Sequence, residues 1–192
     1  YFYTNMAKTE ISKLGEFGLI KHLTSDFKTM QSSTQKGIGD DAAVMHYGDK
    51  RTLVTTDLLL EGIHFNLEYA PLKHLGYKAA VVNFSDIYAM NGTPTQITVS
   101  LGISKRFSVE DLDELYAGIR LACERYNVDL VGGDTSASLT GLTISITCLG
   151  SAYDSDIVYR NGAKVNDLIC VTGNLGTAYM GLQLLERERI VL

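Results

Sequence analysis

Two hydrophobic periodicities divide the chain. Ile11, Leu14, Gly18 and Leu23 follow helical spacing and predict an opening helix from about Glu10 to Phe27. A polar stretch, Lys28 to Lys36, then leads to Gly37-Ile38-Gly39-Asp40-Asp41. Two short strands follow, Ala42 to Tyr47 and Thr52 to Asp57, joined as a hairpin across Gly48-Asp49-Lys50-Arg51, since Gly and Asp accept the positive φ of a tight turn. Pro71 suits the first turn of a helix running to about Asn91, and Gly92 followed by Pro94 stops it. Ile97, Val99, Leu101 and Ile103 alternate with polar or small residues, so a strand buries one face there. Ser108, with Asp111 three residues on, predicts a capped helix carrying Leu112, Leu115, Tyr116, Ile119 and Cys123 on one face and ending near Asn127. A short strand, Val128 to Val131, runs into Gly132-Gly133-Asp134-Thr135, and Thr143 to Leu149 alternates again. Asp167 to Thr172 predicts a further strand, Gly173 to Gly176 a turn, and Leu175 to Leu192 a helix. This mixed order, with at least one hairpin, predicts an α+β fold: a mixed, largely antiparallel sheet covered by helices.

Composition narrows the class. Hydrophobic residues make up 45% and charged residues 20% of 192, enough for an apolar core and unlike a disordered chain. No apolar run exceeds four residues, whereas a membrane span needs about 18 or more. A net charge of −5 without a long basic cluster argues against a nucleic-acid partner. Cys123, Cys148 and Cys170 are widely spaced in apolar stretches, which predicts buried, reduced thiols. No signal peptide opens the chain, so the cytoplasm is the expected location. Met6 has the look of a start residue, with Tyr1 to Asn5 a remnant ahead of it, and the final helix stops without a cap. The expected organisation is a domain over residues 1–150 and the truncated start of a second over 151–192.

The candidate chemistry lies in the aspartates. Asp40 and Asp41 open a strand after a glycine turn, Asp57 closes one and Asp134 closes another, and strand ends gather in space. Carboxylates brought together repel unless a divalent cation with oxygen ligands neutralises them, and Mg²⁺, held by one or two carboxylates plus phosphates and water, is the natural candidate. Aspartate is also the usual turn and cap residue, so each one singly has a purely structural reading. Asp86 sits in an apolar helix, with Asn83 one turn earlier on nearly the same face. A buried carboxylate there needs a partner, and a metal is favoured over simple solvent exposure. Gly37-Ile38-Gly39-Asp40-Asp41-Ala42 formally fits a dinucleotide fingerprint, yet a polar loop precedes it and a strand follows, so that reading is rejected. A Walker loop, paired zinc ligands and a nucleophile elbow are all absent. His64, in a glycine-containing loop just beyond Asp57, is placed to touch an anionic substrate.

Five ordered blocks carry a family likeness: Gly37 to Val44, Thr55-Thr56-Asp57 with His64-Phe65, Asn83 to Met90, Gly132-Gly133-Asp134-Thr135, and Arg160-Asn161-Gly162-Ala163-Lys164. Together they resemble the thiamine-monophosphate kinases, in the superfamily of aminoimidazole ribonucleotide synthetase, selenophosphate synthetase and a hydrogenase maturation protein. The resemblance implies an N-terminal ATP-binding domain whose sheet pairs with a second copy to form a barrel in a homodimer. It also implies several Mg²⁺ ions held by Asp41, Thr55, Thr56, Asp57, Asp86 and Asp134, ATP contacts at Tyr116, Gly133, Asp134 and Arg160, and a thiamine phosphate contact at His64. The family's second domain, with its Asp-Leu-Ser-Asp-Gly block, is missing from the sequence. The implied reaction is transfer of the ATP γ-phosphoryl group to thiamine phosphate, giving thiamine diphosphate, and needs no general base because the acceptor oxygen is already anionic. Another ATP-using enzyme of the superfamily is the first rival, although a selenophosphate synthetase would be expected to carry an N-terminal Cys and none precedes Cys123. A non-catalytic nucleotide-binding or dimerisation module is the second.

Overall fold

The computed structural model describes residues 15–26 and 29–191. The chain forms two compact units, Tyr1–Ser32 and Ser33–Leu192. In the first, helix α1 spans Gly15–Thr24, with Lys21 and His22 in its last turn where cations oppose the helix dipole. The helix ends at Thr24, with Ser25 and Asp26 in a turn rather than in the expected helix, and the rest of the expected span, Glu10 to Leu14 and Phe27, lies outside the described residues.

The second unit runs β1 (Thr34–Lys36), β2 (Ala43–His46), β3 (Arg51–Leu60), α2 (Leu72–Ala89), β4 (Thr93–Ile103), α3 (Val109–Tyr126), β5 (Asp129–Ala137), β6 (Thr143–Ala152), a 3-10 turn (Asp154–Asp156) and α4 (Thr177–Val191). The strands make a six-stranded sheet in the order β1-β2-β3-β6-β4-β5. Every pairing is antiparallel except β4 with β5. That exception follows from connectivity, since a parallel pair requires a crossover and α3 supplies it.

Helix α3 begins as its sequence dictates. The Ser108 hydroxyl accepts from the Asp111 N–H and the Asp111 carboxylate accepts from the Ser108 N–H, while Asn127 closes the helix in the left-handed conformation. Helices α2 and α3 pack at very short range: a Cβ on Gly76 would lie 2.0 Å from the Leu115 carbonyl oxygen, and one on Gly118 1.9 Å from that of Lys73. Only glycine permits this approach. Helix α2 in turn packs on β3, β4 and β6. The core fills the space between, with Leu53, Phe84, Ile87, Met90, Ile97, Leu115, Ile119, Ile144 and Ile146 all buried.

Strand β6 shows how the sheet divides. Ile144, Ile146, Cys148, Gly150 and Ala152 are buried, and the alternating Thr143, Ser145, Thr147, Leu149 and Ser151 are half-buried. One face therefore carries the core beneath α2, and the other is rich in Ser and Thr.

Several expectations need correction. A short strand, β1, precedes the glycine turn where only a polar loop was expected. Asp57 and Asp134 lie within β3 and β5 rather than at their ends. Strand β5 continues through the glycines to Ala137 instead of stopping at Val131. Asp167 to Thr172 forms no strand: Leu168, Ile169 and Val171 are exposed, and no neighbouring strand offers a ladder to that segment among the described residues. Cys123 and Cys148 are buried as expected, whereas Cys170, in this same segment, is exposed. None of the described helices is long and apolar enough to cross a membrane.

Candidate active site

Three of the expected ligands converge beside the β3–α2 contact. On β3, strand β2 pairs only with Arg51 to Val54, which leaves the far half of β3 without a strand neighbour on that edge among the described residues. Helix α2 takes over there. Asn83, fully buried, accepts the Asp57 backbone N–H at 3.0 Å and donates to the Ala79 carbonyl at 3.0 Å. One turn on, the Asp86 carboxylate accepts the Thr55 hydroxyl at 2.8 Å. Sequence spacing placed Asn83 and Asp86 on one face; the use of Asn83 as a backbone clamp needed the fold.

Electrostatics bind these groups into one set. Burial pushes the Asp86 carboxyl above its ordinary range; the Thr55 hydrogen bond opposes this, the charges of Asp57 and Asp41 add to it, and Arg160 opposes it. Burial likewise raises Asp57, and the neighbouring His64 works against the rise. Carboxylates that are half-buried and feel one another gain from a cation, which would relieve both terms at once. All the donors are hard oxygens, the set that suits Mg²⁺. Among the described residues no group of three or more His, Cys, Asp or Glu side chains stands ready around one metal position. Mg²⁺ does not require one, since it is held by one or two carboxylates with phosphates and water completing its shell.

Arg160 occupies the mouth of this set. It pairs with the Asp41 carboxylate through Nη2, and its Nε lies 3.6 Å from Oδ1 of Asp40. The Asp40 side chain is only 2% exposed. The sequence offered no sign of this pairing, because the partners are far apart in the chain and nothing local marks them.

His64 lies near Asp57 in charge, and its Nδ1 accepts the Leu60 N–H at 3.0 Å. Its other ring nitrogen, Nε2, therefore carries the proton and is free to donate. Thr56 goes elsewhere. It is exposed on the Ser- and Thr-rich face, where its hydroxyl donates to the Ile146 carbonyl at 3.1 Å and accepts from Thr147 at 3.1 Å.

Asp134 is also apart from the acidic set. The register aligns Asp57 with Ile146 and Val99, on the helix-covered face, but Asp134 with Ser100 and Ser145, on the other. It belongs instead to a groove of about 480 Å³ lined by Val99, Tyr116, Gly132, Gly133, Asp134 and Thr135, a volume within the range of small-ligand sites. Gly133 is required in this wall, since a Cβ there would lie 1.9 Å from the Val99 carbonyl oxygen. Three of the four expected ATP contacts, Tyr116, Gly133 and Asp134, thus share one groove, and Arg160 stands at the carboxylates.

Comparison with known proteins gives this geometry its context. The family model for the AIR synthase related protein, N-terminal domain, matches residues 39–152. The chain belongs to that family. The matched span contains Asp40, Asp41, Asp57, Asp86, Tyr116 and Asp134 and ends before Arg160. The chain is 37% identical over 179 residues to thiamine-monophosphate kinase of Bacillus subtilis (strain 168), covering 91% of this chain and 54% of that protein. It is 39% identical over 179 residues to the thiamine-monophosphate kinase of Aquifex aeolicus (strain VF5), covering 93% and 55%. Among solved structures, AaThiL complexed with AMPPCP and TMP superposes with a TM-score of 0.85 at 36% identity, covering 95% of this chain and 56% of that one. The chain therefore spans about half the length of the curated relatives it matches.

Proposed function

We propose that the chain is the nucleotide- and metal-binding half of a thiamine-monophosphate kinase, which moves the γ-phosphoryl group of ATP onto thiamine phosphate. The observation that carries this is the convergence of Asp57 and Asp86 at the β3–α2 contact, where Asn83 accepts the Asp57 N–H and the Thr55 hydroxyl donates to Asp86, with the charges of Asp57 and Asp41 both acting on Asp86. Support also comes from the relatives that carry this activity in their names and from the AaThiL complex with a nucleotide analogue and TMP.

In this reading Asp57, Asp86 and Asp41, with the Thr55 hydroxyl beside them, hold Mg²⁺. The metal supplies charge neutralisation where phosphates would otherwise meet carboxylates at a cost of about 4 kcal/mol per pair at 4 Å and an effective dielectric of about 20. Thr56 and Asp134, which lie on the other face of the sheet from Asp57, are left out of this set. The groove between Tyr116 and Gly133 takes the nucleotide, and Arg160 meets its phosphates. His64 donates from Nε2 to the acceptor phosphate. The chain's contribution is alignment and charge, because the acceptor oxygen is anionic at neutral pH and needs no base.

The domain over residues 1–150 and the beginning of another over 151–192 belong to the same reading, supported by a family match that ends at residue 152. So does a homodimer in which the Ser- and Thr-rich sheet face, with Thr56, Ser145 and Thr147, closes against its copy as a barrel. Free cysteines suit the reducing cytoplasm.

The test is turnover by the full-length protein: thiamine phosphate and Mg-ATP should yield thiamine diphosphate and ADP. Nucleotide binding without that product would favour the non-catalytic module, and turnover only with a different acceptor would favour another enzyme of the superfamily.

A further inference from the structure

The segment after β6 is a strap fastened at several points. Arg51 Nε donates to the Asp154 carboxylate at 3.0 Å, and Gln35 Nε2 donates to the same oxygen at 2.8 Å. The Asn91 side-chain amide donates to the Asp156 carbonyl at 2.9 Å, and the Val158 N–H donates to the Met90 carbonyl at 3.2 Å. Two residues beyond this last tie, Arg160 reaches Asp40 and Asp41. The backbone is thereby held near the acidic set, while the Arg160 side chain itself stays 43% exposed and able to turn.

Asp40 explains why a cation must be there. Its side chain is 2% exposed and accepts the Asp41 N–H at 3.0 Å, and a carboxylate that buried is costly when its charge partner is removed. Asp86 senses both Asp41 and Arg160, so the guanidinium and the carboxylates form one electrostatic group. A divalent ion on that group would compete with Arg160 for Asp41 and repel it. The released guanidinium is the side chain best shaped for two-point pairing with a phosphate.

We infer that Arg160 is an internal counter-ion that holds Asp40 and Asp41 until a divalent ion replaces it, and that this exchange frees it for a nucleotide phosphate. The inference deepens the proposed function and rests on its metal site. It makes metal and nucleotide binding sequential: the ion comes first, and its arrival creates the phosphate contact.

The test is direct titration of the chain, stripped with chelator, with MgCl₂ in the absence of nucleotide. The Arg160→Gln variant should bind the ion roughly three- to ten-fold more tightly than wild type, the scale of a partly exposed ion pair removed from competition. With saturating Mg²⁺ it should bind AMPPCP more weakly, so the two affinities move in opposite directions. Ion affinity that is unchanged or weaker in the variant overturns the exchange. A second measurement uses wild type alone: the Arg160 Nε–H resonance, assigned by its loss in Arg160→Lys, should move toward the position of free arginine when Mg²⁺ is added without nucleotide. A resonance that stays in place at saturating Mg²⁺ overturns the exchange even if Arg160→Gln does not fold. If wild type and variant alike bind no divalent ion, the metal site itself fails, and that result is distinct from equal affinity in the two.

Discussion

Asp86 carries a cost that the fold accepts for the sake of the site. Burial, Asp57 and Asp41 raise its carboxyl above the ordinary value of 3.8, so between that value and the raised one the native chain keeps a proton that the unfolded chain has lost. Stability of the metal-free protein then falls as pH rises through this window. Asp86→Asn should therefore stabilise the metal-free chain at about pH 7 by up to about 1 kcal/mol, roughly 2–4 °C in Tm, after allowance for solvent screening of a half-exposed group. The gain should shrink toward nothing below 3.8, which thermal unfolding in chelator across pH would show. Asn83→Ala acts in the opposite sense, stranding the Asp57 N–H at a cost of about 1–3 kcal/mol by denaturant titration. Asp86 stood out in the sequence because a carboxylate interrupts an apolar helix there, and Asp57 because it was expected to close a strand, although it lies inside β3. The Arg160 pairing did not stand out, since it joins residues 119 positions apart.

Among the elements, α3 is the one whose boundaries local chemistry determines. Ser108→Ala removes a cap and should cost about 1 kcal/mol, read as a lower Tm without change in the folded spectrum. Gly118→Ala should cost more, about 1–3 kcal/mol and upward, because the new methyl meets the Lys73 carbonyl of a neighbouring helix rather than a movable side chain. The β2–β3 hairpin, α2, α3 and the alternating β4 and β6 followed from periodicity and turn residues, which are local signals. The extent of β5 did not, because glycines weaken an isolated strand, and the close contact with Val99 that requires Gly133 is tertiary. Asp167 to Thr172 failed for the converse reason: its apolar residues suit a strand, but hydrogen-bond partners come from tertiary structure.

At the scale of the whole molecule, one sheet face carries the core and the other presents Thr56, Ser145 and Thr147. If this face closes against a second copy, Thr147→Arg should convert a dimer to a monomer in sedimentation at micromolar concentration, leaving the core of α2 and α3 untouched; a wild-type monomer would remove the barrel from the account. The acidic set and the Tyr116–Gly133 groove lie on strands and helices of a single sheet unit. In the proposed function, the carboxylates make nucleotide binding depend on a metal. Calorimetric titration of ATP into the chain measures this most directly: affinity should fall at least about tenfold when chelator replaces Mg²⁺, and by a comparable factor in Asp57→Asn with Mg²⁺ present. Equal ATP affinity with and without chelator would contradict it.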